Sequence, residues 1–368
     1  MSVKNTFGTS VAVTVFGESH GEAIGAVIDG IAPGICIDYD YIDTQLARRR
    51  PSSAIDTARQ EKDKYSIVSG VFNGYTTGTP IAIVIPNEDT RSKDYSKTKD
   101  IARPSHADYT AYCKYHGYED YRGGGHFSGR ITAALVAAGA ICQLALGKLD
   151  IKIATHIREC GGAADRGFEN CERDIELLKN KSFPVLSDIE EEMTKRILNA
   201  KNELDSVGGI TETAICGIPA GVGEPWFDSV ESLISHAMFS IGGIKGIEFG
   251  VGFAFADMMG SEANDSFRIE DGKVVTDTNN NGGINGGITN GMPIVFKCAI
   301  KPTPSISREQ STVNFKEMKN ERLTIEGRHD PAIIRRICPV IDAVSAICVC
   351  DMLASRYGTD VFTRGDKI

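Results

Sequence analysis

RITAALVAAGAIC (residues 130–142) and RICPVIDAVSAIC (residues 336–348) share an Arg, an Ile, two Ala, an Ile and a Cys in one register. The first stretch belongs to a run, 128–146, that is apolar on nearly all sides and rich in small residues, which predicts a deeply buried helix. A last helical region is predicted to start near residue 330, so the second copy of the pattern also falls on a helix. One such match would mean little by itself.

Two more pairs of segments match in the same order along the chain: VIDGIAPG (27–34) with AICGIPAG (214–221), and GYTTGTPI (74–81) with GITNGMPI (287–294). Coincidences among Gly-rich segments are common, but three matches in one order indicate an internal duplication. The sequence therefore predicts two related α/β halves, about 1–150 and 205–368, joined by a charged helical insertion at about 160–204.

The helix ends can also be predicted. In the insertion, Ser187 and Glu190 have the spacing of a capping box at the start of a charged helix. Asp330 and Pro331 suit the N-cap and first position of the last helical region. Pro339 is expected to kink or restart that helix, because proline cannot donate a backbone hydrogen bond.

Composition limits the kind of protein. The chain of 368 residues has a formal charge of −9, which argues against general binding to nucleic acid or anionic membranes. Its hydrophobic share of 41% is ordinary for a globular protein, and no apolar run is expected to reach transmembrane length. The first ten residues lack the apolar core of a signal peptide. None of the ten cysteines is spaced C-x-x-C, so reduced thiols and a cytoplasmic location are expected.

Basic residues nevertheless concentrate in ARRRP (47–51), at Arg122 and Arg130, and in 327–336. Such clusters on an acidic chain favour a small anionic ligand, with solvated surface ion pairs as the alternative. YRGGGHFSGR (121–130) adds a triple-glycine loop that opens a helix. Backbone N–H groups at such a helix start bind phosphate readily.

GESHG (17–21) matches G-x-S-x-G, the nucleophile elbow of many serine hydrolases, with Ser19 as the nucleophile. An elbow needs a strand, a tight turn and a helix, whereas a β-rich run follows this motif, which predicts a hairpin. Aligning the two halves places Ser206 opposite Ser19 but Val207 opposite His20. Because features that differ between duplicated halves more readily carry chemistry, His20 is the better catalytic candidate.

Two further stretches carry candidate acid–base residues. RPSHADYT (103–110) places His106 between a proline turn and an aspartate, and EGRHDP (326–331) contains Asp330. Each has a simpler alternative, since His106 could be satisfied within its turn and Asp330 could be a helix N-cap. No G-x-G-x-x-G motif occurs, which argues against a Rossmann dinucleotide site. No set of residues has metal-ligand spacing, so no metal site is predicted.

Together these motifs resemble the chorismate synthase family, and the resemblance runs nearly end to end. The matching stretches are FGESHG, RRRP, SGVFNGYTTGTPIA, DTRSKDYS, RPSHADYT, YRGGGHFSGR, VGEPWFD, GGIKGIEFG, NGGINGGI, KPTPSI and GRHDP. The resemblance implies one α+β domain over residues 1–368, a β-α-α-β sandwich with two related halves. It also implies a carbon–oxygen lyase of the shikimate pathway that converts 5-enolpyruvylshikimate 3-phosphate to chorismate by anti-1,4-elimination of phosphate and the C6 proton.

The resemblance further implies reduced FMN as a cofactor that undergoes no net redox change. Some relatives reduce the flavin with NADPH, but this chain lacks a dinucleotide motif and is expected to depend on a separate flavin reductase or another supply of reduced FMN. Family members are usually homotetramers, so a homotetramer is expected. No nucleic-acid or membrane partner is expected.

Four catalytic roles follow from the same resemblance. His106 would be the general acid that assists departure of the phosphate. His20 would protonate or hydrogen-bond the reduced flavin, with Ser19 in the same network. Asp330 would help to relay the C6 proton.

The resemblance also implies two sets of binding residues. The arginines expected to bind substrate are Arg49, Arg59, Arg122, Arg130 and Arg335. The residues expected to bind flavin are His126, Phe127, Ser128, Gly242, Gly243, Gly286, Lys301, Pro302, Thr303, Pro304, Ser305 and Arg328. Many relatives have Arg-Ser where this chain has His126-Phe127, and Gly where it has Ser105. Backbone contacts at these positions are expected to survive, whereas a side-chain contact from the replaced arginine is not.

Overall fold

The structure, a computed structural model, describes residues 5–53, 55–56, 62–88, 99–179, 181–325 and 329–364. The strands in this part of the chain are β1 (Thr6–Phe7), β2 (Ala12–Gly17), β3 (Ala23–Asp29), β4 (Ser66–Ser69), β5 (Val71–Phe72), β6 (Tyr75–Thr76), β7 (Ile81–Pro86), β8 (Lys152–Cys160), β9 (Ala163–Ala164), β10 (Gly209–Cys216), β11 (Ile244–Phe249), β12 (Phe267–Glu270), β13 (Lys273–Thr276), β14 (Ile284–Asn285), β15 (Ile288–Thr289), β16 (Ile294–Ile300), β17 (Gln310–Asn314) and β18 (Lys319–Leu323). The helices are α1 (Tyr39–Arg49), α2 (Asp108–Tyr115), α3 (Thr132–Gly147), α4 (Cys171–Leu178), α5 (Glu190–Asn202), α6 (Val230–Met238), α7 (Gly260–Ala263), α8 (Ile334–Tyr357) and α9 (Val361–Arg364).

Two five-stranded antiparallel sheets dominate the fold, with strand orders β1-β2-β3-β7-β4 and β11-β16-β10-β8-β9. Four strands follow the same connectivity in each sheet, because β2-β3-β7-β4 matches β8-β10-β16-β11. In chain order, α1 follows β3 as α6 follows β10, and α3 follows β7 as α8 follows β16.

The long helices form the middle of the molecule. Helix α3 packs on β3 and β7 of the first sheet, α8 packs on β8 and β10 of the second, and the two helices pack on each other. The layers are therefore sheet, helix, helix and sheet, which confirms the expected α+β class and β-α-α-β sandwich. The burial of apolar side chains on both faces of α3 and α8 explains why neither helix shows a polar stripe.

Equivalent turns of the two halves make equivalent hydrogen bonds. Thr76 Oγ1 donates to the Ala32 carbonyl oxygen at 2.6 Å, and Thr289 Oγ1 donates to the Pro219 carbonyl oxygen at 2.6 Å. The first pair lies in the matched segments of one half and the second pair in their counterparts. The division into two duplicated halves remains a prediction that these contacts and the shared strand order support.

The boundaries of the second half and of the insertion differ from those expected. Strand β8 precedes the insertion but pairs with β10 in the second sheet, so that sheet begins at Lys152 rather than near 205. Helix α5 starts at Glu190 without a capping box, because the Ser187 hydroxyl donates instead to Asp165 at 2.6 Å.

Helix α8 also departs from the sequence-based expectation. It begins at Ile334, so neither Asp330 nor Pro331 is its cap, and it continues without restarting through Pro339. An interior proline costs a helix about 3 kcal/mol. All residues from Ile334 to Ala354 except Arg336 are buried, and this packing outweighs the lost hydrogen bond.

Two helical segments are long and apolar enough to cross a membrane, contrary to the expectation from the sequence. They are Gly129–Gly147 and Ile334–Tyr357, and 72% and 100% of their most apolar windows are buried within the protein. Their composition is accounted for by their position between the two sheets.

Helices α3 and α8 pack closely against each other at Gly139 and Ala343. A Cβ added at Gly139 would lie 2.3 Å from the Ala343 Cβ and 2.4 Å from its Cα, so the backbones themselves would have to separate. Protein interiors are packed too densely to absorb such an overlap without cost.

We expect Gly139→Val to lower the free energy of unfolding by about 1–3 kcal/mol, because the extra atoms overpack the crossing of α3 and α8. Gly147→Ala is the matched control, since a Cβ at Gly147 meets no atom within 4 Å and alanine favours the helix by up to about 1 kcal/mol. Urea unfolding of both variants measures the difference. Wild-type stability in Gly139→Val would contradict the close contact.

A buried charge cluster attaches the insertion to the second sheet. His156 on β8 has Nε2 at 3.0 Å from Glu212 Oε2, and its Nδ1 forms an ion pair at 3.4 Å with Asp165 Oδ2. Glu212 also accepts from the Phe168 backbone N–H at 2.9 Å. Burial alone would lower the pKa of His156, but the carboxylates of Asp165 and Glu212 outweigh it and raise that pKa. The two buried carboxylates therefore stabilise the protonated form of His156 between them.

This cluster predicts a pH dependence of stability. Above about pH 6.5 the unfolded histidine loses its proton while the folded one keeps it, so the free energy of unfolding falls by about 1.4 kcal/mol per pH unit until the raised pKa is passed. Chemical unfolding at successive pH values above about 6.5 should show this fall in the wild type and lose it in His156→Gln. His116→Asn, an exposed control, should keep the slope. An unchanged slope in His156→Gln would refute the assignment.

Candidate active site

A cavity of about 250 Å³ opens where the N-terminal ends of α3 and α8 meet the segments that follow α1 and α6. Its walls come from both halves of the chain. The lining residues are Arg49, Arg50, Pro51, Ser128, Gly129, Arg130, Thr132, Ile241, Gly242, Asp330, Ile333, Arg336, Ile337 and Val340. Four of these residues are arginines and one is a carboxylate, so the cavity suits an anionic ligand.

Asp63 forms ion pairs with two of these arginines. Its carboxylate accepts from Arg49 Nη2 at 3.0 Å and from Arg130 Nη1, and its side chain is fully buried. Burial alone would raise the pKa of Asp63, but the charges of the two arginines outweigh it and lower that pKa. Asp63 therefore stays ionised and fixes both guanidinium groups, each of which was predicted to bind substrate.

Arg335 and Arg336 are adjacent in the first turn of α8 but have different surroundings. Arg335, which was predicted to bind substrate, is buried, pairs with Asp56 at 2.6 Å and does not line the cavity. Arg336 does line it, pairs with Asp330, and donates from Nε to the Arg49 carbonyl oxygen at 2.9 Å.

The GESHG turn joins β2 to the antiparallel strand β3, which confirms the predicted hairpin and rules out a nucleophile elbow. Ser19 Oγ lies 3.0 Å from His20 Nδ1 and 3.2 Å from the carbonyl oxygens of both Arg122 and Gly123. Since carbonyl oxygens only accept, the Ser19 hydroxyl donates to one of them and His20 Nδ1 donates to Ser19. Ser19 thus fixes the tautomer of His20 and has no access to solvent.

The triple-glycine loop lies between the two candidate histidines. A Cβ at Gly123 would lie 2.2 Å from His20 Cε1, and one at Gly124 would lie 3.1 Å from His106 Cε1. Both glycines have left-handed backbones, with φ of +59° and +85°. The absence of side chains on consecutive residues therefore allows both imidazoles to contact one short loop.

His106 is held by a neighbouring ion pair. Its Nδ1 lies 2.8 Å from Asp108 Oδ1, and the Arg103 guanidinium group makes two hydrogen bonds to the same carboxylate, at 2.6 and 2.8 Å. Burial alone would raise the pKa of Asp108, but the hydrogen bonds from Arg103 and His106 outweigh it and hold that pKa well below its usual range. The ionised Asp108 accepts from His106 Nδ1–H, which leaves Nε2 on the side of Gly124 for proton transfer.

Asn87 connects the cavity to the GESHG turn. Its Oδ1 accepts from Arg130 Nε at 3.1 Å, and its Nδ2 donates to the carbonyl oxygens of Glu18 and Gly21 at 2.9 and 3.0 Å. Cavity and histidines are therefore parts of one site, joined by Asn87 and by the continuous segment 122–130.

The predicted flavin-binding residues fall partly on this cavity. Ser128 and Gly242 line it, and His126 Nδ1 donates to the Gly17 carbonyl oxygen at 2.7 Å. Phe127 is half-exposed. Gly286 lies in the turn between β14 and β15 and does not line the cavity.

The segment after β16 contacts the loop of His106. Lys301 Nζ donates to the Ser105 carbonyl oxygen at 2.6 Å, and its backbone N–H donates to Gly243 at 2.9 Å. The Thr303 carbonyl oxygen accepts from the Ser206 hydroxyl at 2.8 Å. Pro302, Pro304 and Ser305 belong to the same segment, which has no regular secondary structure.

Arg122, another predicted binding arginine, does not line the cavity. Arg122 is partly exposed and forms a bidentate pair with Asp120, with both distances at 2.8 Å. Arg59 and Arg328 lie outside the described residues. Within the described residues, no group of three or more His, Cys, Asp or Glu side chains is arranged to hold a metal ion.

Several functional side chains were missed from the sequence. Asp63 and Asn87 carry no motif and reach the site only through the pairing of the first sheet. Arg336 did carry a signal, because the matched register of 130–142 and 336–348 aligns it with Arg130.

Comparisons with known proteins identify the family of the chain. The model of the chorismate synthase family matches residues 11–354. The chain is 45% identical to a chorismate synthase of Methanococcoides burtonii over 94% of this chain and 95% of the relative, and 45% identical to one of Pyrococcus abyssi over 95% and 97%. A crystal structure of chorismate synthase superposes with a TM-score of 0.77 at 30% identity, over 95% of this chain and 94% of that one. The chain belongs to the chorismate synthase family, lyases of the shikimate pathway.

Proposed function

We propose that the cavity binds 5-enolpyruvylshikimate 3-phosphate and that the surrounding residues eliminate its phosphate and C6 proton with reduced FMN bound. The observation that carries this proposal is the continuity of segment 122–130, which contacts His20 and His106 at one end and lines an arginine-rich cavity at the other. Acid–base groups next to anion-binding groups are what such an elimination requires.

The charge of the cavity supports a substrate with several anionic groups. This substrate carries one phosphate and two carboxylates, and Arg49, Arg50, Arg130 and Arg336 line the cavity. The Nε atoms of Arg49 and Arg50 are buried without a hydrogen-bond partner among the described residues. Guanidinium groups bind carboxylate and phosphate through pairs of parallel hydrogen bonds, so these donors suit such a ligand.

His106 would supply the proton to the leaving phosphate. With Nδ1 bound to the ionised Asp108, the proton that can be transferred is held at Nε2. Arg103 keeps Asp108 ionised, and the carboxylate of Asp108 orients the imidazole ring. A positioned acid of this kind contributes roughly 10²–10⁴-fold to the rate.

His20 and Asp330 would act on the second proton of the reaction, the one removed from C6. Ser19 accepts from His20 Nδ1, so His20 would hold or receive a proton at Nε2. Asp330 lies on the cavity wall, paired with Arg336, where it would help to accept the C6 proton.

The residues of the site fit a flavin with a phosphate group. Gly129 and Gly242 face open space, because a Cβ at either would meet no atom within 4 Å. The Thr303 Oγ1 and His329 Nε2 atoms are buried without a partner among the described residues. Thr303 was predicted to bind flavin, and His329 is next in the chain to Arg328, which was also predicted to do so. When bound, reduced FMN would supply electron density for C–O cleavage and recover it afterwards.

We further propose a homotetramer in the cytoplasm that depends on a separate supply of reduced FMN. Trp226 and Phe227 are 84% and 91% exposed, and adjacent exposed aromatic residues of this size suit contacts between subunits. The lack of a dinucleotide motif supports an enzyme without its own NADPH-dependent flavin reductase activity.

The function is tested by anaerobic incubation with 5-enolpyruvylshikimate 3-phosphate and dithionite-reduced FMN, following chorismate absorbance and released phosphate. We expect both products in equal amounts and only with reduced flavin. Oxidised FMN and dithionite alone are the controls. Product formed without reduced flavin would contradict the proposal.

His106→Ala and His20→Ala are each expected to lower kcat by roughly 10²–10⁴-fold, because each removes a proton-transfer group. Circular dichroism and the thermal midpoint should stay close to the wild type, since neither side chain belongs to the apolar core. His116→Asn, which changes an exposed histidine, should leave kcat unchanged. Turnover like that of the wild type in either alanine variant would remove the role given to that histidine.

A further inference from the structure

Two arginines at equivalent positions of the repeat face the same cavity. Arg130 lies two residues before the start of α3 and Arg336 lies in the first turn of α8, and the matched register of the two segments aligns them. Both line the cavity, one from each half of the chain. The positive ends of the two helices therefore meet the cavity together with the two guanidinium groups.

The contacts of Arg336 are those of a binding residue rather than of a structural one. Its neighbour Arg335 is buried among Asp56 and backbone carbonyls, whereas the Arg336 side chain is 17% exposed. Arg336 makes an ion pair with Asp330 and donates from Nε to the Arg49 carbonyl oxygen, which orients its guanidinium group along the wall. Arg130 is oriented in the same manner by the carboxylate of Asp63.

We propose that Arg336 is an anion-binding residue for the substrate, the counterpart of Arg130 in the second half. The two arginines then hold anionic groups at opposite ends of one ligand. This inference rests on the proposed function of the site. A ligand with a phosphate and carboxylates at separate positions meets this requirement, whereas a ligand with one anionic group would engage only one wall. Arg336 thus replaces Arg335, which the sequence had predicted to bind substrate.

The test is isothermal titration of 5-enolpyruvylshikimate 3-phosphate into enzyme saturated with oxidised FMN, where no turnover occurs. We expect Arg336→Gln to raise the Kd roughly 10- to 100-fold, as for the loss of charge-assisted hydrogen bonds, with little change in the thermal midpoint. Arg356→Gln removes the same charge from the far end of α8 and should leave the Kd within about twofold of the wild type. An unchanged Kd in Arg336→Gln, or an equal loss in Arg356→Gln, would overturn the proposal.

A second variant separates binding by Arg336 from an effect through its partner. Asp330→Asn removes the competing carboxylate, so its Kd is expected to equal that of the wild type or fall below it. A loss of affinity as large as that in Arg336→Gln would mean that Arg336 acts only by positioning Asp330, and would overturn the proposal.

Two further outcomes have defined meanings. If Arg336→Gln does not fold, Arg336→Lys decides, with an expected rise in Kd of roughly 3- to 10-fold because an ammonium cannot form the paired hydrogen bonds. A wild-type Kd in that variant would refute the assignment. Failure of the proposed function is distinguished separately, because the wild type would then neither bind this substrate nor form chorismate from it.

Discussion

The close packing of α3 against α8 is the contact on which the other features depend. Gly139 lets the two backbones meet at Ala343, and each helix covers one sheet with its remaining surface. Because the helices come from equivalent places in the two halves, their N-terminal ends arrive at one cavity. The site is therefore built at the junction of the halves, where neither half alone has enough surface to enclose a ligand.

Buried carboxylates organise the cations around that cavity. Asp63 pairs with Arg49 and Arg130, and Asp330 pairs with Arg336. A guanidinium group loses considerable solvation when it is buried, and a paired carboxylate offsets that loss while fixing its orientation. The number of cations on the wall still exceeds the number of carboxylates, so the cavity keeps a net attraction for anions.

The sequence predicted most of the fold and the stretches that carry the two candidate histidines, because both are encoded locally. Repeated helical patterns predicted the layers, and short motifs predicted His20, His106 and the glycine loop between them. Asp63 and Asn87 could not be found in this way, since distant segments bring them to the site and neither belongs to a pattern. The predicted start of α8 at Asp330 was wrong because tertiary packing overrode a favourable cap. Arg335 was predicted instead of Arg336 because a helical register alone does not tell which of two adjacent arginines faces a cavity.

Joining two like halves in one polypeptide has a consequence for the asymmetry of the site. If the halves were separate, identical chains, every side chain near the axis between them would occur twice. A histidine required on one side would then also be present on the other. There its charge and its ring nitrogens would again need hydrogen-bond partners. A single chain can keep His20 in one half and place Val207 in the other. Chemistry can thus be concentrated on one side of the axis, while the opposite side remains free to serve packing and ligand orientation.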